Sequence, residues 1–169
     1  MFPIVSNPIK LYIMKNIFRF LVLTILFTQG LSAQEGFRAG GHVGIPVGDA
    51  SDFTSLNIGV DATYLWQVNE MLALGATSGF SIFLGKDDFS DYSFIPVAAS
   101  ARVTYPKNWF YVADLGYALA LEDGADGGFF LRPKLGYTTG NVDFFIFYQS
   151  ISETGISIAS FGAGVALSL

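Results

Sequence analysis

The chain contains no cysteine. This absence excludes a disulfide framework, a thiol nucleophile, a thiolate metal site and a lipidated cysteine anchor. A single histidine, His42, is present, so any bound metal would depend mainly on oxygen ligands. Charged residues make up only 14% of the chain and hydrophobic residues 51%, a balance that favours a protein with part of its surface turned toward lipid.

Net charge and the lengths of the apolar runs argue against two further classes of protein. Acidic side chains outnumber basic ones by 14 to 9, which is the wrong sign for binding nucleic acid. Beyond residue 33, no apolar run reaches the ~20 residues that a membrane-spanning helix needs. A lipid-facing surface would therefore have to be built from strands.

The first 33 residues predict a cleavable secretory signal peptide. Lys15 and Arg19 precede an apolar core from Phe20 to Phe27, and small residues lead to a cleavage site after Ala33. This core is too short to span a membrane, and no charged stop-transfer segment follows it. The stretch before Met14 adds nothing that such a signal needs, so Met14 is the expected start of translation.

Residues 34–169 are expected to form one domain, because apolar and polar side chains alternate along them with a period of two. The clearest run is Leu56–Val68, in which only Leu65 breaks the alternation. Turn residues divide the domain into eight predicted strands: Phe37–Val47, Leu56–Val68, Met71–Leu84, Ile95–Tyr105, Trp109–Leu121, Phe129–Thr139, Val142–Ser150 and Ile158–Leu169.

The predicted connections alternate between short and long. Short ones are centred on residues 69–70, 106–108 and 140–141, and long ones cover residues 48–55, 85–94, 122–128 and 151–157. Outer-membrane barrels have this asymmetry, and many of the strands reach the ~9 to 11 residues that cross a membrane when tilted. The sequence therefore predicts an all-β, eight-stranded antiparallel up-and-down transmembrane β-barrel, closed so that no backbone edge meets lipid.

The less apolar strand faces carry charged side chains that a soluble lipocalin-like barrel or sandwich would not hold in its core. We expect them to point into the barrel lumen as a structural polar network, in which four cations pair with three anions. The predicted network is Arg38, His42, Asp61, Arg102, Asp114, Arg132, Lys134, Asp143 and Gln149.

Tyrosine and tryptophan prefer membrane interfaces, where a ring is half in lipid and its polar atom is wet. Six such residues fall on the outward face near the predicted short turns, and we interpret them as a periplasmic girdle: Tyr64, Trp66, Tyr105, Trp109, Tyr111 and Tyr137.

The last strand alternates Phe161, Val165, Leu167 and Leu169 with small residues. With the eight strands, this pattern resembles the OmpA/OmpX-like family of small outer-membrane β-barrels, although that family usually ends in phenylalanine. The resemblance implies that these four residues are the C-terminal signal read by the barrel assembly machinery. It also implies a barrel without a periplasmic enzyme domain, in a family that ranges from structural anchors to adhesins and a few lipid-modifying enzymes.

Catalytic chemistry has little support in the sequence, since His42 is expected inside the lumen and no nucleophile with a paired base is evident. No catalytic, cofactor-binding or metal-binding residue is assigned, and no cofactor is expected. The long loops are expected to form an acidic external face: Asp49, Asp52, Asp87, Asp88, Asp91, Glu122, Asp123, Asp126 and Glu153.

We therefore expect a non-enzymatic integral protein of the cell outer membrane with a structural or surface-binding role through its acidic external loops. A small-solute pore is the first alternative, and a lipid-modifying outer-membrane enzyme is the second. The expected partners are outer-membrane lipids, lipopolysaccharide and, during biogenesis, the barrel assembly machinery. A surface ligand is possible in this scheme but has no sequence signature, and nucleic acid is not expected.

Overall fold

The computed structural model describes residues 36–86, 89–122, 127–153 and 156–169. Over these residues the chain forms a four-residue helix, α1 (Ala50–Phe53), and eight strands. The strands are β1 (Phe37–Val47), β2 (Thr54–Gln67), β3 (Leu72–Gly85), β4 (Tyr92–Thr104), β5 (Trp109–Ala120), β6 (Gly128–Thr139), β7 (Val142–Glu153) and β8 (Ile156–Ser168). The predicted signal peptide, residues 1–33, lies outside the described residues.

The eight strands close into a single antiparallel barrel in which each strand pairs with its neighbours in sequence. Closure comes from β1 and β8, whose register runs from Arg38 opposite Ser168 to Val47 opposite Ala159. Because both edges of every strand are paired, the backbone N–H and C=O groups of the wall are satisfied within the sheet. The predicted up-and-down barrel fold is confirmed.

The structure corrects the prediction of a long connection at residues 151–157. Strand β7 continues to Glu153, β8 begins at Ile156, and Ser152 lies opposite Ser157 in the ladder. The serines of this segment suggested a loop, but they form part of the sheet. The Ser150 hydroxyl lies 3.1 Å from that of Ser157, across the two strands.

Helix α1 was not predicted, and it occupies the connection between β1 and β2. Gly48 precedes it with a φ of 63°, a backbone conformation that suits glycine. The Ser51 hydroxyl then donates to the Gly48 carbonyl at 2.7 Å, and the Thr54 hydroxyl to the Ala50 carbonyl at 2.6 Å. Such local side-chain bonds favour a tight turn over an extended loop.

The connections divide the barrel into two ends. The short-turn end carries the connections at 68–71, 105–108 and 140–141, and the long-loop end carries those at 48–53, 86–91 and 121–127. The turns at the short-turn end are tight for local reasons. Lys107 and Asn108 have φ values of 70° and 66°. The Asn69 carboxamide oxygen accepts the backbone N–H groups of Met71 and Leu72 at 2.9 Å each.

Alternation gives the wall two different faces. On β2, Val60 is 58% exposed on the outside, whereas the neighbouring Asp61 points into the lumen, where it meets Arg132. The outer surface is consequently apolar, and the four aliphatic and aromatic residues of the predicted C-terminal signal lie on it. No helix within the described ranges has the length and hydrophobicity to cross a membrane.

The aromatic residues near the short-turn end lie on this outer surface. Trp66, Tyr105 and Tyr111 are exposed there, and Tyr64 packs edge-on against Trp66 with ring centroids 4.9 Å apart. Trp109 and Tyr137, from the paired strands β5 and β6, make a similar contact at 5.5 Å. The predicted ring of aromatic side chains therefore exists as a surface feature.

The register predicts that the last five residues are needed for closure. Deletion of Val165–Leu169 removes the partners of Arg38, Ala39, Gly40 and Gly41 on β1 and leaves their backbone groups on an open edge. We expect the truncated chain to fail to refold into detergent, as measured by loss of the fast-migrating band of unboiled protein on a gel.

A Leu167→Ala, Leu169→Ala variant is the control, since it keeps every backbone partner and should still migrate as the folded form. If the truncated chain instead gave the same compact band as the full chain, closure through the end of β8 would be dispensable.

Candidate functional site

The lumen is filled by side chains in layers that follow one another along the barrel axis. The inward positions of β7 mark the order from the short-turn end to the long-loop end: Asp143, then Phe145 and Phe147, then Gln149, then Ile151. All five side chains are buried. An eight-stranded barrel has an interior just wide enough for such side chains to fill it.

The layer nearest the short-turn end is organised around Asp143. Its Oδ2 accepts hydrogen bonds from Arg38 Nε at 3.0 Å and from Arg102 Nη1 at 2.6 Å. Its Oδ1 accepts from Arg102 Nη2 at 3.2 Å and from the Thr138 hydroxyl at 2.6 Å. The Arg102 guanidinium also lies 3.7 Å from the centroid of the Phe110 ring. Two arginines therefore share one buried carboxylate.

A second charged layer lies deeper in the lumen, and Asp114 is one of its two carboxylates. Asp114 Oδ2 lies 3.0 Å from Lys134 Nζ and 3.2 Å from Arg132 Nε, and Oδ1 accepts from the Ser100 hydroxyl at 2.7 Å. Asp114 and Arg132 are both fully buried. Charge-assisted bonds of this kind are stronger than neutral ones, and in a dry interior each partner depends on the other.

Asp61 is the other carboxylate of the second layer. Arg132 connects it to Asp114, because Arg132 Nη1 donates to Asp61 Oδ1 at 2.7 Å while Nε serves Asp114. Asp61 Oδ2 lies 2.9 Å from His42 Nδ1. The guanidinium thus bridges strands β2 and β5 from its position on β6, and the imidazole extends the chain of contacts to β1.

His42 is buried among lumen side chains rather than exposed to lipid. Its ring packs edge-on against Phe147 with centroids 4.9 Å apart, and its Nε2 has no hydrogen-bond partner among the described residues. A serine nucleophile activated by a His–Asp pair would have to sit at this nitrogen. The neighbouring layers use their serines elsewhere, with Ser100 bonded to Asp114 and Ser160 to Asn57.

An uncharged polar layer follows toward the long-loop end. Asn57 Nδ2 donates to Ser81 Oγ at 2.8 Å, Gln149 Nε2 donates to the same oxygen at 3.2 Å, and Ser160 Oγ donates to Asn57 Oδ1 at 3.1 Å. Only Gln149 of this set was predicted. The inward position of the other three follows from strand alternation, which could have identified them, but small or neutral polar residues carry no charge signal.

An apolar seal closes the lumen at the long-loop end. It consists of Phe83, Phe94, Ala98, Ala118, Phe130 and Ile151. Phe83 and Phe94 make an edge-to-face contact with ring centroids 6.1 Å apart, and Phe83 and Phe130 are completely buried. The sequence prediction missed the seal because apolar alternation alone does not distinguish an inward phenylalanine from an outward one.

The predicted acidic face is only partly a set of free carboxylates. Asp49 and Asp52 are exposed. Asp91 Oδ1 accepts the Gly85 N–H at 2.8 Å, and Glu122 Oε1 accepts the Ser93 N–H at 2.6 Å, so these two carboxylates stabilise the ends of strands. Asp87, Asp88, Asp123 and Asp126 lie outside the described residues, and Glu153 is the last residue of β7.

No cluster of acidic or histidine side chains suited to a metal ion is found among the described residues. Lys86 is the only basic residue in the described part of the loops near Asp49 and Asp52. Its Nζ donates to the Ser51 carbonyl at 2.6 Å. Lys86, Asp91 and Glu122 therefore use their polar groups for local structure.

The shared carboxylate of the first layer gives a stability prediction. Asp143→Asn keeps the shape of the side chain but leaves Arg38 and Arg102 without a counter-charge, and breaking a buried pair in this way costs about 3 to 5 kcal/mol. Urea unfolding of the protein in lipid vesicles should show this loss of unfolding free energy.

The matched control is Asp52→Asn, an exposed carboxylate whose replacement should change stability by less than about 0.5 kcal/mol. Equal and small effects of the two substitutions would mean that the Asp143 layer is solvated rather than buried.

No family model matches the chain. None of the curated proteins matches it in sequence. Solved structures do match its fold. The crystal structure of the outer membrane enzyme PagL superposes with a TM-score of 0.61 at 15% identity, covering 78% of this chain and 99% of PagL.

Two further structures are similar over comparable lengths. The backbone structure of the Yersinia pestis outer membrane protein Ail, in a phospholipid bilayer nanodisc, gives a TM-score of 0.52 at 11% identity and covers 78% of this chain and 98% of Ail. The crystal structure of Neisserial surface protein A, NspA, gives 0.51 at 15% identity and covers 80% of this chain and 98% of NspA. The chain therefore has the fold of small outer-membrane β-barrels.

Proposed function

We propose that this chain is a non-enzymatic integral protein of the outer membrane, and that it serves as a membrane structure or as a surface-binding module through its long loops. One observation carries the proposal: beyond a small cavity at its short-turn end, the lumen is blocked by ion pairs, polar contacts and the apolar seal. Such an interior leaves the loops and the outer wall as the surfaces available to macromolecules.

Placement in the outer membrane is supported by the outer wall. Each of the eight strands exposes large apolar side chains on it, and aromatic side chains gather near the short-turn end, as they do where barrels meet a membrane interface. In this placement the short-turn end faces the periplasm and the long-loop end faces outward. The proposed partners are then membrane lipids and lipopolysaccharide, with the barrel assembly machinery acting during biogenesis.

A pore is less well supported than a closed barrel. A solute crossing the lumen would have to separate Arg102 from Asp143, pass the Arg132 layer, and displace Phe83 and Phe130 from the seal. Each step exposes a buried charge or opens a packed apolar contact, and both are costly.

Lipid-modifying activity is the other alternative, and it is favoured only by the similarity to PagL, which is an enzyme. At 15% identity this similarity concerns the fold. In the present chain the His42–Asp61 pair is buried, and no serine contacts His42 Nε2 among the described residues. Among the described residues, we find no nucleophile and base paired for attack on an acyl ester.

Planar bilayer recordings test the closed lumen. We expect no steady conductance steps from folded protein, because the charged layers and the seal leave no continuous aqueous path. Insertion is verified on the same preparation by the mobility shift of unboiled protein. Large, stable single-channel currents would overturn the proposal in favour of the pore.

A surface-binding role predicts that the loop between β3 and β4 contributes to contacts with basic partners or calcium-bridged surfaces. Replacing Asp87, Asp88 and Asp91 with asparagine removes three negative charges, while an asparagine oxygen at position 91 can still accept the Gly85 N–H. Attachment of whole cells to basic or calcium-coated surfaces should weaken.

Glu70→Gln is the control, since this exposed carboxylate lies at the short-turn end. If the triple variant and the control bind every tested surface as the unaltered protein does, with and without calcium, a surface-binding role for this loop is excluded and the structural role stands.

A further inference from the structure

A polar cavity of about 210 Å³ opens into the lumen at the short-turn end, and we call it the vestibule. Its polar lining consists of Arg38, Gln67, Arg102, Thr104, Asn108 and Thr138. None of its described lining residues is acidic. The vestibule therefore combines two cationic side chains with hydroxyl and amide groups, a lining whose chemistry suits an anion.

Arg38 is the vestibule residue with unused donors. Its Nε donates to Asp143, but its two terminal nitrogens have no acceptor among the described residues. An arginine carries five N–H groups, so four remain for another acceptor. The Arg38 side chain is 20% exposed, compared with 6% for Arg102, so Arg38 is the more accessible of the two.

The charges around the vestibule do not balance. Arg38 and Arg102 share the single carboxylate of Asp143, which leaves one positive charge in excess in this layer. The deeper layer does not change this balance, because its two cations, Arg132 and Lys134, pair with its two carboxylates, Asp61 and Asp114. A partly desolvated cation without a counter-ion raises the free energy of the folded protein, and a bound anion would lower it.

Access and size restrict the ligand. The apolar seal closes the far end of the lumen, so a solute reaches Arg38 only through the short-turn end. The volume of the vestibule, about 210 Å³, is far larger than a single water molecule needs. This space admits a phosphate or a small carboxylate, whereas a complete lipid or an oligosaccharide is too large.

We propose that the vestibule is a binding site for a small oxyanion, a carboxylate or phosphate group, held by the terminal nitrogens of Arg38. The hydroxyl of Thr104 and the amide of Asn108 belong to the same lining and can donate to the remaining oxygens. The planar fork of arginine matches two oxygens of such an anion, which favours an oxyanion over chloride. The site goes beyond the proposed function and does not depend on it.

Anion titration of the folded protein tests the site. The isotope-labelled barrel is refolded in octyl glucoside, which contains no phosphate or carboxylate, and inorganic phosphate, acetate or chloride is added at constant ionic strength. Glu35→Gln is introduced throughout, so that the carboxylate preceding Gly36 in the sequence does not compete. We expect saturable NMR shifts of the Arg38, Thr104 and Asn108 amides with phosphate and acetate.

Three variants separate the site from general charge attraction. Arg38→Gln should weaken the affinity for phosphate at least tenfold. Arg38→Lys keeps the positive charge beside Asp143, so it tests the site even if the glutamine variant fails to fold, and it should weaken the affinity several-fold. Lys107→Gln should leave it unchanged, because Lys107 is an exposed cation at the same end but outside the vestibule lining.

A second arm identifies the source of the anion. The same amide shifts are compared in phosphatidylcholine vesicles with and without phosphatidylglycerol, each in the absence and in the presence of added inorganic phosphate. Shifts that require phosphatidylglycerol assign the oxyanion to a headgroup, and shifts that require free phosphate assign it to solution. Linear shifts, equal shifts with chloride, or equal losses in Arg38→Lys and Lys107→Gln would overturn the proposal.

Discussion

The structure depends on the pairing of buried charges across a narrow lumen. Closing eight strands satisfies the backbone, but it also forces the inward side chains of opposite walls into contact. Charged groups in that space are stable only when each finds a partner, and here Asp61, Asp114 and Asp143 hold the four basic side chains in two layers. Because Arg132 serves two of these carboxylates, displacement of one strand would disturb the contacts of several others.

These ion pairs specify the arrangement of the barrel more than they add to its net stability. Desolvation offsets much of the attraction within a buried pair, so an apolar interior of equal volume would be comparably stable. What the pairs provide is a penalty for a register shift by one residue, since such a shift would turn Asp61 or Arg132 toward the apolar outside. The rings of Phe110 and Phe130, which lie against Arg102 and Arg132, exclude water and reinforce this requirement.

The sequence alone predicted the strands and the inward charges because both follow from a period of two. It did not predict which charges meet: Arg38 and Asp143 are 105 positions apart, and only barrel closure brings them together. The end of β7 at Glu153 and the start of β8 at Ile156 were missed because residues 151–157 are rich in serine, threonine and glycine, which are typical of turns. The apolar seal was missed because the alternation does not distinguish an inward phenylalanine from an outward one. The uncharged polar layer around Asn57 was missed because neutral polar residues carry no charge signal.

The closed lumen can be measured directly, because the chain contains no cysteine and a single introduced thiol reports on one position. Ser160 is completely buried in the uncharged polar layer, whereas Ser90 is exposed in the loop between β3 and β4. Each is replaced by cysteine in turn, and the folded protein is treated with a small, water-soluble thiol reagent. The account predicts rapid modification of Ser90→Cys and none of Ser160→Cys until the protein is unfolded. Comparable rates at the two positions would show a water-filled channel and contradict the account.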